Sequence, residues 1–406
     1  MWGIKGIIDW FRRLLYVHKQ QRFFRKNAER FPFDKPEKGI TIIGFLSGGG
    51  WSLSKVLRDF AFALRDANIP FQTFDTGDCS IPGTDIEGII TKREDFRIGK
   101  YTNVVEFVSS VLPDGIVEKR DRIVFWEFSE GAGHAFHPLL ERDDGIIAMS
   151  NFNYGYFKRE FGNRLRVSKV LYPLRIDVSN VSPQYECRAC FGIPKDDFVV
   201  FGNFAYTSGW FRKNPIGTVR AFARAFREVP NTRLIFKTAG RDAFLERERE
   251  LKTVAAEEGV LEKILFFDDW LSHKALYNLS NACDVFVSLH RAEGFGLAIA
   301  EAMVLSKPVI VTDYSGSTEF CNETNSIPIP YKLVDIPDCQ KDAVWYRDVK
   351  HWAEPDIDTA AAALRNLYSD VDLRLRLGVS ARNFIAEKYS AEAFRNSIYA
   401  FLGTSQ

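Results

Sequence analysis

Cysteine is sparse in this chain. Six thiols, Cys79, Cys187, Cys190, Cys283, Cys321 and Cys339, are spread over 406 residues, which excludes a disulfide-stapled scaffold. The N-terminal residues lack the charge-then-apolar order of a signal peptide, so reduced cytosolic thiols are expected. Cys187 and Cys190 make one C-x-x-C, but no comparable pair or His cluster follows to complete a zinc site. No H-E-x-x-H and no Ser-His-Asp order is recognisable. Asp356-Ile357-Asp358 and Asp370-Val371-Asp372 spell D-x-D, yet both stand at expected helix starts, where Asp caps the backbone, so the sequence requires no metal. The apolar stretch at the N-terminus is too broken to span a bilayer. An excess of one charge is also missing: 54 Lys and Arg against 53 Asp and Glu leave +1, which argues against a general nucleic-acid binder.

The balance hides an uneven placement. Residues 1–38 hold ten Lys or Arg and four Asp or Glu, a net +6 that leaves −5 for the rest of the chain. In the same stretch Ile4, Ile7, Ile8, Phe11, Leu14 and Leu15 recur at helical spacing beside Arg12 and Arg13. An apolar face with cations alongside suits a helix lying in a membrane interface. The expectation is a cytoplasmic protein held peripherally at the inner face of the plasma membrane through residues 1–30. A helix packed on the domain surface, or a disordered leader, is the plainer alternative.

With 46% hydrophobic residues the chain can build real cores, and its length suits about two to three domains. The apolar run Gly39 to Leu46 leads into Ser47-Gly48-Gly49-Gly50, followed by a helical pattern from Ser54 to Asn68 and a second strand, Pro70 to Phe74. Strand, glycine turn, helix, strand opens a parallel α/β unit. Gly49 would lie at the carboxyl edge of the sheet, either as part of a ligand loop or as a tight turn. Strands are expected at Arg122 to Phe128, Gly145 to Ser150 and Arg166 to Pro173, with a helix from Asn151 to Phe161. The polar stretch from Asp177 to Gln184 has the make-up of a linker. Beyond it, strands begin at Phe198, Arg233, Ile264, Val285 and Val309 and alternate with helices, the rhythm of a parallel sheet covered on both faces. The expected organisation is a basic segment 1–38, an α/β domain 39–182, a second α/β domain 183–385 and a terminal helical segment 386–406.

The chemistry concentrates in one place. Asp284 to Ser288 reads as a strand, and Leu289 to Met303 sets Glu293 and Glu301 either side of Gly294-Phe295-Gly296-Leu297. The glycines therefore fall where a strand gives way to a helix N-terminus, whose free amides and dipole attract a phosphate or diphosphate. Glu301 is the single charge in a helix that is otherwise apolar nearly all round, and a buried carboxylate needs partners. Two ribose hydroxyls would serve; so would a neighbouring Arg, Lys or backbone N–H in a purely structural role. Glu293 lies on the loop and can reach into a cleft, or simply favour the helix dipole.

Glu293 and Glu301, with seven residues between them around Gly-Phe-Gly-Leu and followed by Lys307-Pro308-Val309-Ile310-Val311, resemble the signature of the retaining nucleotide-sugar glycosyltransferases of family 4, or group 1. The likeness extends to Arg212-Lys213-Asn214-Pro215, Leu234 to Thr238, Asp313 to Ser317 and Trp352 to Asp358, and these later blocks are similar to bacterial polysaccharide-building members. The resemblance implies a GT-B fold, two Rossmann-like domains facing across a cleft, the first for the acceptor and the second for the donor. Ala391 to Leu402 would be the helix that crosses back. It implies a hexose or deoxyhexose moved from a nucleoside diphosphate sugar to a glycan or lipid-linked acceptor, with no cofactor besides the donor.

In that reading Glu301 holds the ribose, the amides of Phe295, Gly296 and Leu297 hold the diphosphate, and Glu293 positions the sugar. Arg212 and Lys213 neutralise the departing β-phosphate; relatives often carry an Arg about five residues earlier, where this chain has Thr207 or Ser208. Lys237 ends a strand and would touch the nucleotide or serve solubility alone. His290 and Arg291 border Glu293 and would orient it or solvate the loop. Relatives often present a His to the sugar from the region of His134. A rival from another class is a non-catalytic sugar- or nucleotide-binding component of a polysaccharide assembly complex. A phosphorylase of the same architecture would use a lysine-bound pyridoxal phosphate, and no lysine stands out for it.

Overall fold

The computed structural model describes residues 4–31, 36–46, 52–77, 88–107, 111–132, 140–269, 271–341 and 346–403, with side chains described from Leu15 onward and not at 52 and 53. Gly49 and His134 fall outside the described residues.

Two six-stranded parallel sheets carry the architecture. The first uses β1 (Glu37–Gly44), β2 (Phe71–Asp75), β3 (Tyr101–Phe107), β4 (Arg120–Ile123), β5 (Gly145–Ala148) and β6 (Arg166–Lys169) in the order β2-β1-β3-β4-β5-β6. The second uses β7 (Phe198–Asn203), β8 (Thr232–Lys237), β9 (Ile264–Phe267), β10 (Val285–Ser288), β11 (Val309–Thr312) and β12 (Ile327–Ile329) in the order β12-β11-β10-β7-β8-β9. Strand order reverses between β1 and β3 in the first and between β7 and β10 in the second. At such reversals the connections diverge to opposite faces and leave a crevice at the carboxyl ends of the strands.

Several elements form for local reasons. The Asn151–Phe161 helix starts where Ser150 accepts the Asn153 amide at 3.1 Å, an N-cap that satisfies one orphan donor. Asp356 and Asp370 do the same for Ile357–Ser369 and Val371–Lys388, accepting from the Thr359 and Leu373 amides at 2.9 and 2.7 Å. The first Asp of each D-x-D is therefore a helix cap, and the second lies in the first turn. The Ala391–Leu402 helix returns to the first sheet: Phe394 packs edge-on against Phe60, and the Ser397 hydroxyl accepts the Leu171 amide at 3.1 Å.

A strand expectation needs correction, and two further elements went unforeseen. The run Arg122 to Phe128 was expected to be one strand, but β4 ends at Ile123. Past Val124 the chain leaves the ladder, because Trp126 is bonded by the Asn153 side chain on both its N–H and its carbonyl. Strand β3, with Asn103 and Glu106 inside it, follows no clean apolar pattern, since both polar side chains are buried and bonded. An antiparallel pair, β13 (Tyr331–Asp335) with β14 (His351–Pro355), follows β12 in the chain.

The N-terminal residues form a helix, Ile4–Arg30. Its second half is docked: Phe24 is fully buried against Phe74 and Phe96, and the Asn27 side chain bonds the backbone of Phe96 and Ile98 at 2.9 and 2.8 Å. Of the expected membrane face only Leu15 has a described side chain, and it is exposed; Ile4, Ile7, Ile8, Phe11 and Leu14 have side chains outside those described. Among the described residues no helix is long and apolar enough to cross a membrane.

Candidate functional site

The loops that leave β7 and β10, on either side of the reversal in the second sheet, are fastened to each other. Asn214 adopts a left-handed conformation (φ 52°) between two helical segments, accepts the Gly217 amide at 3.0 Å and donates to the Leu289 carbonyl at 2.9 Å. The Arg291 amide donates to the Arg212 carbonyl, and the Arg212 guanidinium to the Ala292 carbonyl, both at 2.7 Å. These bonds bring Arg212, Lys213 and Glu293 together.

Glu293 pairs with Lys213 and lies 3.4 Å from Arg212. Its amide donates to the Ser315 hydroxyl at 2.7 Å, and its carbonyl accepts the Gly316 amide at 2.8 Å. Burial alone would raise its carboxyl, but the Lys213 and Arg212 cations outweigh burial and hold it at about 2. At neutral pH the cluster is a fixed anion between two cations. Arg212 is 4% exposed, and a third carboxylate, Glu127, approaches it to 3.7 Å from the first sheet's side. Sequence reasoning missed Glu127; the lone acid in Phe125-Trp126-Glu127-Phe128 was the available signal.

Next to this cluster the turn residues behave differently. Gly296 (φ 94°) precedes the Leu297–Val304 helix and its carbonyl accepts from Ile299 and Ala300. Among the described residues the amides of Phe295, Gly296 and Leu297 find no acceptor. Gly294 and Phe295 are buried and Leu297 is half-buried, so these donors cannot all rely on bulk water, and an anion is the natural complement. The turn is held in place from both sides. Phe295 stacks on Tyr172, ring centroids 4.2 Å apart and 12° from parallel, and Ser150 donates to the Gly294 carbonyl at 3.4 Å. A Cβ on Gly316 would lie 2.2 Å from the Gly294 carbonyl oxygen, so only glycine permits that approach.

Glu301 lies one turn into the helix and accepts the Tyr277 hydroxyl at 3.4 Å. Burial raises its carboxyl to about 7, with Lys55 opposing and Asp59 reinforcing the shift. Both of those groups sit on the Ser52–Asp66 helix of the first half, where they form an ion pair at 2.5 Å. No structural cation is bonded to Glu301 among the described residues.

The bordering residues divide. His290 is fully buried between Ser288, Tyr314 and Ser317, and burial holds it neutral at about 4. Arg291 turns away from Glu293 into a two-point bond with Glu354 at 2.6 and 3.1 Å and lies over the Trp352 ring. It braces β14 instead of orienting the carboxylate. Lys237 folds back onto the Thr238 carbonyl, with burial lowering its ammonium against the opposing pull of Asp268 and Asp269, and makes no described contact with the Arg212, Lys213 and Glu293 cluster.

Known proteins share parts of this arrangement. Residues 205–327 match the family profile described as glycosyl transferases group 1. A lipopolysaccharide core biosynthesis mannosyltransferase, LpsB of Rhizobium meliloti, is 27% identical over 231 residues, 55% of this chain and 61% of the relative. The matched region thus spans about three fifths of the length of that curated relative. Among solved structures, sucrose-phosphate synthase from Thermosynechococcus elongatus superposes with a TM-score of 0.62 at 15% identity, covering 90% of this chain and 98% of that one. Anabaena HepE in complex with UDP and glucose gives 0.60 at 15% identity, with 90% and 100% covered. The chain therefore has the two-sheet α/β fold called GT-B, and its residues 205–327 match the glycosyl transferases group 1 profile.

Proposed function

We propose that the protein is a retaining glycosyltransferase of family 4. It would move a hexose or deoxyhexose from a nucleoside diphosphate sugar to a glycan or lipid-linked acceptor in cell-surface polysaccharide synthesis. One observation carries the reading: the Arg212, Lys213 and Glu293 cluster adjoins turn amides that lack acceptors among the described residues, at the strand reversal of the second sheet. The mannosyltransferase relative supports the polysaccharide setting and HepE, crystallised with UDP and glucose, supports the donor class.

In this reading residues 39–182 serve the acceptor and residues 183–385 the donor. The amides of Phe295, Gly296 and Leu297 receive the diphosphate and Glu301 receives the ribose hydroxyls. Lys213 and Arg212 stabilise the charge that grows on the β-phosphate as its bond to the anomeric carbon breaks. Glu293, kept ionised, orients the sugar and supports positive character at that carbon. The acceptor oxygen forms the new bond on the face the phosphate leaves, and the phosphate takes the acceptor proton. Attachment to the inner face of the membrane is assigned to the N-terminal helix.

Steady-state kinetics over a panel of UDP, GDP, dTDP and CDP sugars test the assignment. Glu301→Ala should raise donor KM, and Glu293→Gln should lower kcat by about 100-fold. Full activity in both variants refutes it.

A further inference from the structure

Glu127 has no part in the mechanism above, yet the fold goes to some length to present it. After β4 ends at Ile123 the chain would continue the ladder, but the Asn153 side chain substitutes for a strand: Nδ2 donates to the Trp126 carbonyl at 2.5 Å and Oδ1 accepts the Trp126 amide at 3.3 Å. The Trp126 indole N–H donates to the Glu130 carbonyl at 2.8 Å. Trp126 and Phe128, both about 1% exposed, pack together and against Tyr346. With its neighbours locked in core on both sides, the intervening residue is fixed in direction.

That direction is toward the donor cluster. Glu127 Oε1 lies 3.7 Å from the Arg212 guanidinium, which at its other nitrogen lies 3.4 Å from Glu293. The preceding Phe125 and Trp126 face the Gly294 turn, where a Cβ on Gly294 would stand 3.3 Å from the Phe125 Cβ. Arg212 is thus shared by one carboxylate from each sheet. Glu127 makes no closer described ion pair, whereas Glu293 is fully engaged with Lys213 and Arg212. The 3.7 Å approach and a bond from its own backbone amide still leave carboxylate lone pairs open, and the Glu127 side chain keeps 22% of its surface exposed.

We propose that Glu127 accepts a hydrogen bond from a saccharide hydroxyl in the cleft, making it the first sheet's binding residue for the sugar transferred. The assignment rests on the donor-site reading above. Burial raises the Glu127 carboxyl while Arg212 opposes and Glu293 reinforces the shift; a hydroxyl donor would satisfy the carboxylate without adding charge.

The test compares thermal shifts given by UDP and GDP alone with those given by UDP-glucose and GDP-mannose, in wild type, Glu127→Gln and Glu127→Asp, alongside donor hydrolysis and transfer to octyl glycosides. The expected result is an unchanged nucleotide shift, loss of the extra shift due to the sugar, and at least a ten-fold rise in sugar-donor KM for Glu127→Gln, with partial recovery in Glu127→Asp. If the sugar-dependent shift persists and the octyl-glycoside KM rises instead, the hydroxyl held belongs to the acceptor. Equal shifts and equal KM values in wild type and variants overturn the proposal. No shift and no turnover with any nucleotide in wild type sinks the parent reading, and this one with it. Should Glu127→Gln fail to fold, Glu127→Asp carries the same comparison.

Discussion

In the first sheet Glu106 on β3 faces Arg122 on β4 in register at 3.1 Å, and Arg122 continues to Asp143 at 2.6 Å, all inside the packed layer. In the second sheet Arg212, Lys213 and Glu293 gather in the loops beyond the carboxyl ends, beside amides with no acceptor among the described residues. Both clusters are buried, and both set cations against carboxylates. The difference lies in what surrounds them. Glu106 spends its second oxygen on the Val111 amide at 2.9 Å, so both of its oxygens are engaged by neighbours of the first half. The second cluster sets two cations on one carboxylate and is open in hydrogen bonding, which is the condition for receiving a ligand.

Breaking the first cluster should give the largest stability loss. Arg122→Ala leaves Asp143 without its guanidinium and Glu106 with only the 4.0 Å approach of Arg120, and about 3–5 kcal/mol should vanish from the urea-derived unfolding free energy. Donor KM in the folded fraction should not move; a large KM change with normal stability would mean the two networks are not separate in role.

Glu301 sharpens the contrast through pH. Its carboxyl sits at about 7 in the folded protein, above the ordinary carboxylate range it has when unfolded. The native state therefore holds more protons between those values, and this group's contribution to stability falls as pH rises through that window. Donor affinity should run the other way, rising from pH 6 to 8 as Glu301 ionises and can accept ribose hydroxyls. Glu301→Gln should flatten both profiles, stabilise the free protein at pH 8 by about 1–3 kcal/mol and weaken donor binding. Donor titrations by calorimetry at three pH values would show it.

The smallest effect is expected at Tyr172. Its hydroxyl is buried with no hydrogen-bond partner among the described residues, and its ring stacks on Phe295. Tyr172→Phe keeps the stack, worth about 0.5–1.5 kcal/mol, and removes an unsatisfied group, so Tm should hold or rise slightly. A clear fall in Tm would mean the hydroxyl has a partner in solution.

The same contrast explains what could be read from residues alone. The strand, turn and helix around Glu293 were legible because apolar strands, Gly296 and a uniformly apolar helix each point to one structure. The Asn151–Phe161 helix was legible from its pattern, and the two Asp caps from their position. Strand β3 was not, because burying Asn103 and Glu106 depends on partners far along the chain. Arg122 to Phe128 reads as one strand because nothing in those seven letters announces Asn153, which pulls Trp126 out of the ladder. Glu127 was hidden by the same mistake, since a strand residue gives no hint of facing a cleft. Arg291 likewise revealed its role only once β14 placed Glu354 beside it.

The most direct measurement is a crystal structure of the protein with UDP or GDP bound, whichever gives the larger thermal shift. The diphosphate should lie against the amides of residues 295–297 with Lys213 and Arg212 alongside, and the ribose hydroxyls should reach Glu301. A nucleotide bound elsewhere, with Glu301 still bonded to Tyr277 and the Gly294 to Leu297 turn untouched, would contradict the account.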